Sequence, residues 1–172
     1  MHTTRRSRTV GFSAEELWPV VSDPHHLPRW WPRVERVESV EGGAFTEVLK
    51  TAKGKLVRAD FTVVELDASA RRLTWSQQIE DSPFARLLES AETGVQLNPE
   101  GSRTEVTIEL RQELARGRVG SWFHPRLGSH LVQRAAAATL EEALDGLERI
   151  GAPSPGTYPS SSPGSGRDPG RG

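Results

Sequence analysis

The sequence predicts an α+β domain in which a curved antiparallel sheet of seven strands grips one long C-terminal helix. Three observations lead there. Alternating apolar residues mark successive strands, joined by tight turns, through the middle of the chain. No helical segment interrupts those strands, which argues against a parallel sheet. Apolar residues then recur at helical spacing from near Arg126 to Ile150, where Gly151 supplies a stop signal.

The first strand is expected over Arg5 to Gly11, with alternation too weak to fix its faces. A helix follows. Ser13 and Glu16 have the S-x-x-E spacing of a capping box, and Phe12 and Leu17 stand at the staple positions. That helix should run to about Ser22, with Leu17, Val20 and Val21 on one face. Asp23-Pro24 then caps a shorter helical turn with proline at its first position, expected to stop at Leu27-Pro28. In Pro28-Arg29-Trp30-Trp31-Pro32 the prolines push the chain out of helix and into strand. Two adjacent Trp side chains cannot both enter the core from extended backbone, so one should pack inward and the other sit at a rim.

Six further strands are read at Val34–Val40, Ala44–Thr51, Lys55–Leu66, Arg72–Ile79, Phe84–Leu97 and Arg103–Leu114. Turn chemistry joins them at Glu41-Gly42-Gly43, Ala52-Lys53-Gly54, Asp67-Ala68-Ser69-Ala70 and Asn98-Pro99-Glu100-Gly101. Alternation gives one dry face. It holds Val57, Ala59, Phe61 and Val63, then Leu73, Trp75 and Ile79, then Val106, Ile108, Leu110 and Leu114. In the last helix Val132, Ala136, Leu140, Ala143, Leu147 and Ile150 form the apolar stripe. The run from Ala135 to Ala138 is slim, so the helix either approaches the sheet closely there or leaves space. Residues 1–150 are thus expected to form the domain. From Gly151 to Gly172, sixteen of 22 residues are Gly, Pro or Ser, and such a stretch is expected to stay disordered.

Composition excludes several functions. The chain has no cysteine, so disulfides, thiolate metal sites and cysteine nucleophiles are ruled out. With 22 basic and 23 acidic residues there is no cationic surplus for nucleic acid, and Arg5, Arg6 and Arg8 are read as a solvated strand end. No apolar run approaches the roughly 20 residues that span a bilayer. The basic start Met1-His2-Thr3-Thr4-Arg5-Arg6 lacks the apolar segment of a secretory signal. A cytoplasmic protein is expected.

The segment Phe12-Ser13-Ala14-Glu15-Glu16-Leu17-Trp18, followed by Val21-Ser22-Asp23-Pro24, resembles the N-terminal signature of the START-like, or SRPBCC, superfamily. Leu27-Pro28-Arg29-Trp30-Trp31-Pro32 and the helix through Leu140-Glu141-Glu142-Ala143-Leu144 are similar to bacterial members of polyketide cyclase/dehydrase type. The resemblance covers nearly all of residues 5 to 150. It implies the helix-grip fold of the birch-pollen allergen. Lipid carriers, cyclases and proteins without known ligand share that architecture, so it does not fix an activity.

Candidate chemistry is sparse. The histidines are His2, His25, His26, His124 and His130, and no H-E-x-x-H pattern occurs, so they are read as surface or rim residues rather than metal ligands. The G-x-S-x-G elbow, the G-x-G-x-x-G fingerprint and the P-loop are absent, so no cofactor is expected. Strict alternation from Val95 and Leu97 turns Glu89 inward as a general acid or base, whereas a bulge near Thr93-Gly94 turns it outward, and the outward reading is preferred. Gln77, between Trp75 and Ile79, and Gln112, between Leu110 and Leu114, interrupt the apolar face. Each is either a strand end leaving the core or a polar anchor in an apolar cavity. Trp30, Phe61, Trp75, Trp122 and Phe123 are candidates to line or close a cavity, with Ala136 as the helix candidate. For Phe61 and Trp75 plain core packing is the preferred reading, and Trp122-Phe123 either gates an opening or staples the helix start. The expected partner is an apolar or aromatic small molecule, lipid- or polyketide-like. The alternatives are a cyclase/aromatase using Glu89, His124 or His130, and an interaction module whose cavity is filled.

Overall fold

The computed structural model describes residues 1–115 and 125–150, the side chains of 125–129 excepted. The elements, in chain order, are β1 (His2–Val10), α1 (Ala14–Ser22), a 3-10 turn (Pro24–His26), α2 (Leu27–Trp30), β2 (Val34–Glu41), β3 (Ala44–Lys50), β4 (Leu56–Asp67), β5 (Arg72–Gln77), β6 (Leu88–Glu100), β7 (Arg103–Leu114) and α3 (Pro125–Ile150). One seven-stranded sheet runs in the order β1-β7-β6-β5-β4-β3-β2. All its pairings are antiparallel. Chain neighbours pair through hairpins, and β1 closes the order against β7. The β2–β3 turn shows why its residues are what they are. Gly42 and Gly43 both have positive φ, 57° and 82°, the requirement of the two-residue turn that matches strand twist.

Local sequence explains the α1 start. The Ser13 hydroxyl accepts from the Glu16 backbone N–H at 3.3 Å, and the Glu16 carboxylate accepts from the Ser13 backbone N–H at 2.9 Å. That is the expected box, closed in both directions. Asp23 then caps the 3-10 turn by accepting from the His25 N–H.

The structure departs from expectation next. Pro28 does not end the helical segment. It lies in the first turn of α2, where its missing N–H is not needed, and the helix continues to Trp30. Trp30 is therefore helical and Trp31 extended, and the two rings meet edge-on. Trp30 is buried and Trp31 half-buried. Several strand boundaries also move. β6 continues through Asn98, Pro99 and Glu100, read from the sequence as turn, because these residues pair with Glu105, Thr104 and Arg103, and β5 ends at Gln77 rather than Ile79. β1 begins at His2, because cross-strand pairing with β7 and not apolar alternation defines it. β6 begins at Leu88, because residues 80–87 form turns rather than strand.

The core lies between the sheet and the helices. Leu140, Ala143, Leu144 and Leu147 of α3 pack with Val10, Leu17, Trp30, Val95, Val106 and Ile108. Each buried Leu contributes roughly 1.5–3 kcal/mol. Gly146 allows α2 to touch α3, since a Cβ there would lie 2.7 Å from the Trp30 Cα and closer still to its carbonyl oxygen. Charges finish the seam. Arg6 pairs with Glu141 at 3.0 Å, and Arg8 reaches Glu141 at 2.8 Å, Glu148 at 3.2 Å and Asp145. Of the arginines read as a solvated strand end, Arg6 and Arg8 are thus held by α3, while Arg5 is exposed. Among the described residues, no helix is long and apolar enough to cross a membrane.

Candidate ligand-binding face

Strand register builds the site. Phe45 of β3 pairs with Phe61 of β4, and Phe61 pairs with Gln77 of β5. The Ser76–Glu92 pair sets Gln77 level with Ala91 of β6, and Ala91 pairs with Gln112 of β7. One row therefore crosses the concave face as Phe45, Phe61, Gln77, Ala91 and Gln112. The two phenyl rings stack, with centroids 5.3 Å apart and planes 12° from parallel. Gln77 and Gln112 stand two strands apart, about 10 Å. Both amides are half-buried. Among the described residues neither side chain has a hydrogen-bond partner.

A second row runs beside the first through Val63, Trp75, Thr93, Leu110 and Thr4. Trp75 is tied to the short helices by ring contacts. Trp31 meets Trp75 edge-on at 5.7 Å and Trp30 edge-on at 5.4 Å. At that end the face is nearly closed. A crevice bounded by Val21, Leu27, Phe45, Val63, Leu73 and Trp75 holds only about 10 Å³, room for no more than one water.

On the other side of the phenylalanine row lies a residue that sequence reasoning missed. Glu47 of β3 pairs with Val37 of β2 and Ala59 of β4. It sits between Phe45 and Leu49 in the alternation, so it faces the dry side. It is 1% exposed, and its Oε1 is buried with no hydrogen-bond partner among the described residues. Burial pushes its carboxyl up to about 8, so it stays protonated at neutral pH. The signal was in the sequence. Phe45-x-Glu47-x-Leu49 puts a carboxylate on the apolar face of a strand whose faces were not assigned. Trp30 Nε1 is a second buried polar atom without a partner among the described residues.

The structure places the other predicted residues as follows. Phe61, Trp75, Gln77 and Gln112 share the concave face. Ala136 is buried on α3. Trp30 is part of the core beneath α3. Glu89 is exposed, because the bulge of β6 lies between Leu88 and Ser90, not at Thr93-Gly94. His130 is exposed on α3, and His25 is bonded to Asp23 at 2.8 Å. Trp122, Phe123, His124 and residues 151–172 lie outside the described residues.

Comparison with known proteins gives a family and a fold. The family model described as polyketide cyclase / dehydrase and lipid transport matches residues 1–150. No curated protein matches the chain. Among solved structures, TTHA0849 from Thermus thermophilus is 25% identical, with a TM-score of 0.66 over 86% of this chain and 95% of that one. A START superfamily protein from Mycobacterium smegmatis is 17% identical, with a TM-score of 0.66 over 87% and 97%. The Zhui aromatase/cyclase from Streptomyces sp. R1128 is 20% identical, with a TM-score of 0.66 over 91% and 99%. The helix-grip architecture is shared with these proteins.

Proposed function

We propose that this chain, which belongs to the polyketide cyclase / dehydrase and lipid transport family, binds an apolar or aromatic small molecule on the concave face of its sheet, beneath α3. The observation that carries the reading is the row of Phe45, Phe61, Gln77, Ala91 and Gln112, in which Phe61 and the two amides are half-buried while Phe45 and Ala91 are buried. Stacked aromatic rings supply flat apolar area, and two amides supply the few convergent polar groups that orient a ligand. A face meant only as core would bury these amides against partners, because leaving them unmet is costly.

Native mass spectrometry of freshly purified protein tests this directly, by looking for a co-purified molecule released on denaturation. A bulky Ala136→Trp should fill the space under α3 and lower affinity at least tenfold with the fold intact. No bound molecule, together with no thermal shift across a panel of aromatic lipids and polyketide mimics, would sink the reading.

The second reading is a cyclase or aromatase acting on the same face. Glu47 favours it, since a buried carboxyl protonated at neutral pH is a general acid held among apolar neighbours. Glu89 and His130 are exposed. Turnover of a poly-β-keto mimic that falls at least a hundredfold in Glu47→Gln, with binding retained, is the expected mark of the enzyme. A carrier binds the mimic and returns it unchanged.

A further inference from the structure

We infer that Glu47 is the polar anchor of this face, donating a hydrogen bond to a neutral carbonyl or phenol oxygen of a planar ligand and disfavouring ligands that carry a carboxylate. The inference rests on the binding reading above and deepens it by naming the ligand's chemistry.

The geometry is specific. Glu47 is buried in mid-strand, and Oε1 meets no donor or acceptor among the described residues. Every neighbour that register places around it is apolar: Val37 from β2, Ala59 from β4, and Phe45 and Leu49 along β3. No charged group among the described residues contributes to its titration, and desolvation is the only cause of its raised value. A carboxyl in such surroundings is neutral and has one O–H to give. An incoming carbonyl oxygen accepts that proton and meets the unmet polar group at no cost in charge. The Phe45–Phe61 stack stands one row away, so a ring carrying that carbonyl lies against an aromatic surface while its oxygen reaches Glu47.

Charge sets the selectivity. A ligand carboxylate would bring a full negative charge beside the Glu47 carboxyl, and the described residues of these rows offer no cation to balance it. The arginines on the concave side of β1, Arg6 and Arg8, are taken by Glu141, Asp145 and Glu148. The side chains that share the two rows described above are otherwise apolar or neutral amides and hydroxyls. A free fatty acid is therefore the wrong chemistry, and a ketone or phenol the right one.

Three probes of one shape decide it: 2-acetylnaphthalene, 2-ethylnaphthalene and 2-naphthoate, titrated by calorimetry into the wild-type chain, Glu47→Gln and Glu47→Leu. The wild type should bind the ketone at least tenfold tighter than the hydrocarbon or the carboxylate. Glu47→Gln, which keeps an N–H donor, should retain the preference over the hydrocarbon, and Glu47→Leu should abolish it. The wild-type affinity for the ketone should fall above pH 8, while that of Glu47→Gln stays flat. If Glu47→Leu does not fold, this pH contrast decides alone. An unchanged ketone preference in Glu47→Leu, or equal pH profiles, overturns the role of Glu47 and leaves the binding face standing. Wild-type protein that binds none of the three probes overturns both.

Discussion

At the scale of single residues, Glu47 makes folding stability depend on pH in an unusual direction. Its folded value is about 8, against about 4.3 for an unperturbed Glu. A raised value means the folded state holds the proton after the unfolded state has lost it. The stability is fully present below about pH 4 and is lost as pH rises towards 8, at about 1.4 kcal/mol per unit. Glu47→Gln removes the titration and keeps the shape. The variant should match the wild type near pH 4 and exceed it by on the order of 3 kcal/mol at pH 7. Urea unfolding of both proteins at several pH values checks it, and parallel profiles would refute the buried acid. The glutamines give a contrast in legibility. Gln77 and Gln112 were visible because they interrupt strands with clear alternation. Glu47 was not, because β3 carries buried residues on both faces, Val48 as well as Phe45, and its pattern does not alternate cleanly.

At the scale of elements, the seam between α3 and its neighbours rests on one missing side chain and a set of charges. Gly146→Ala would drive a Cβ into the Trp30 backbone, which has no rotamer to move. The expected cost is about 1–3 kcal/mol with α2 displaced, read as lowered thermal stability and altered Trp fluorescence. Arg8→Ala tests the charges. Arg8 is partly exposed, and surface pairs contribute roughly 0–1 kcal/mol each. The loss should be near 1 kcal/mol at low salt and shrink in 0.5 M salt, because the Debye length then falls to only a few ångströms. The capping box at Ser13 was legible from the sequence because it is local, three residues apart. The Gly146 contact was not, because it joins residues far apart in the chain. The continuation of α2 through Pro28 was missed for another reason. Proline reads as a stop, yet it is equally at home in a first helical turn.

At the scale of the whole molecule, the antiparallel order was legible because hairpin turns and alternation repeat from Val34 to Leu114, while the location of the proposed ligand face depends on cross-strand register that alternation does not give. That face implies a trade between stability and binding. An unpartnered buried carboxyl weakens the free protein, and a ligand oxygen that meets it restores what was lost. Glu47→Leu should therefore be more stable than the wild type when both are free at pH 7. A ketone ligand at a hundred times its dissociation constant stabilises the folded state by about 2.7 kcal/mol. In a domain of this size that raises Tm by roughly 5–10 °C. The wild type should show that rise and Glu47→Leu, binding at least tenfold more weakly, about half of it or less, so the two melting temperatures converge as ligand is added. Calorimetric scans with and without 2-acetylnaphthalene measure the convergence. Equal ligand shifts in both proteins would mean that Glu47 belongs to the fold and not to the binding face.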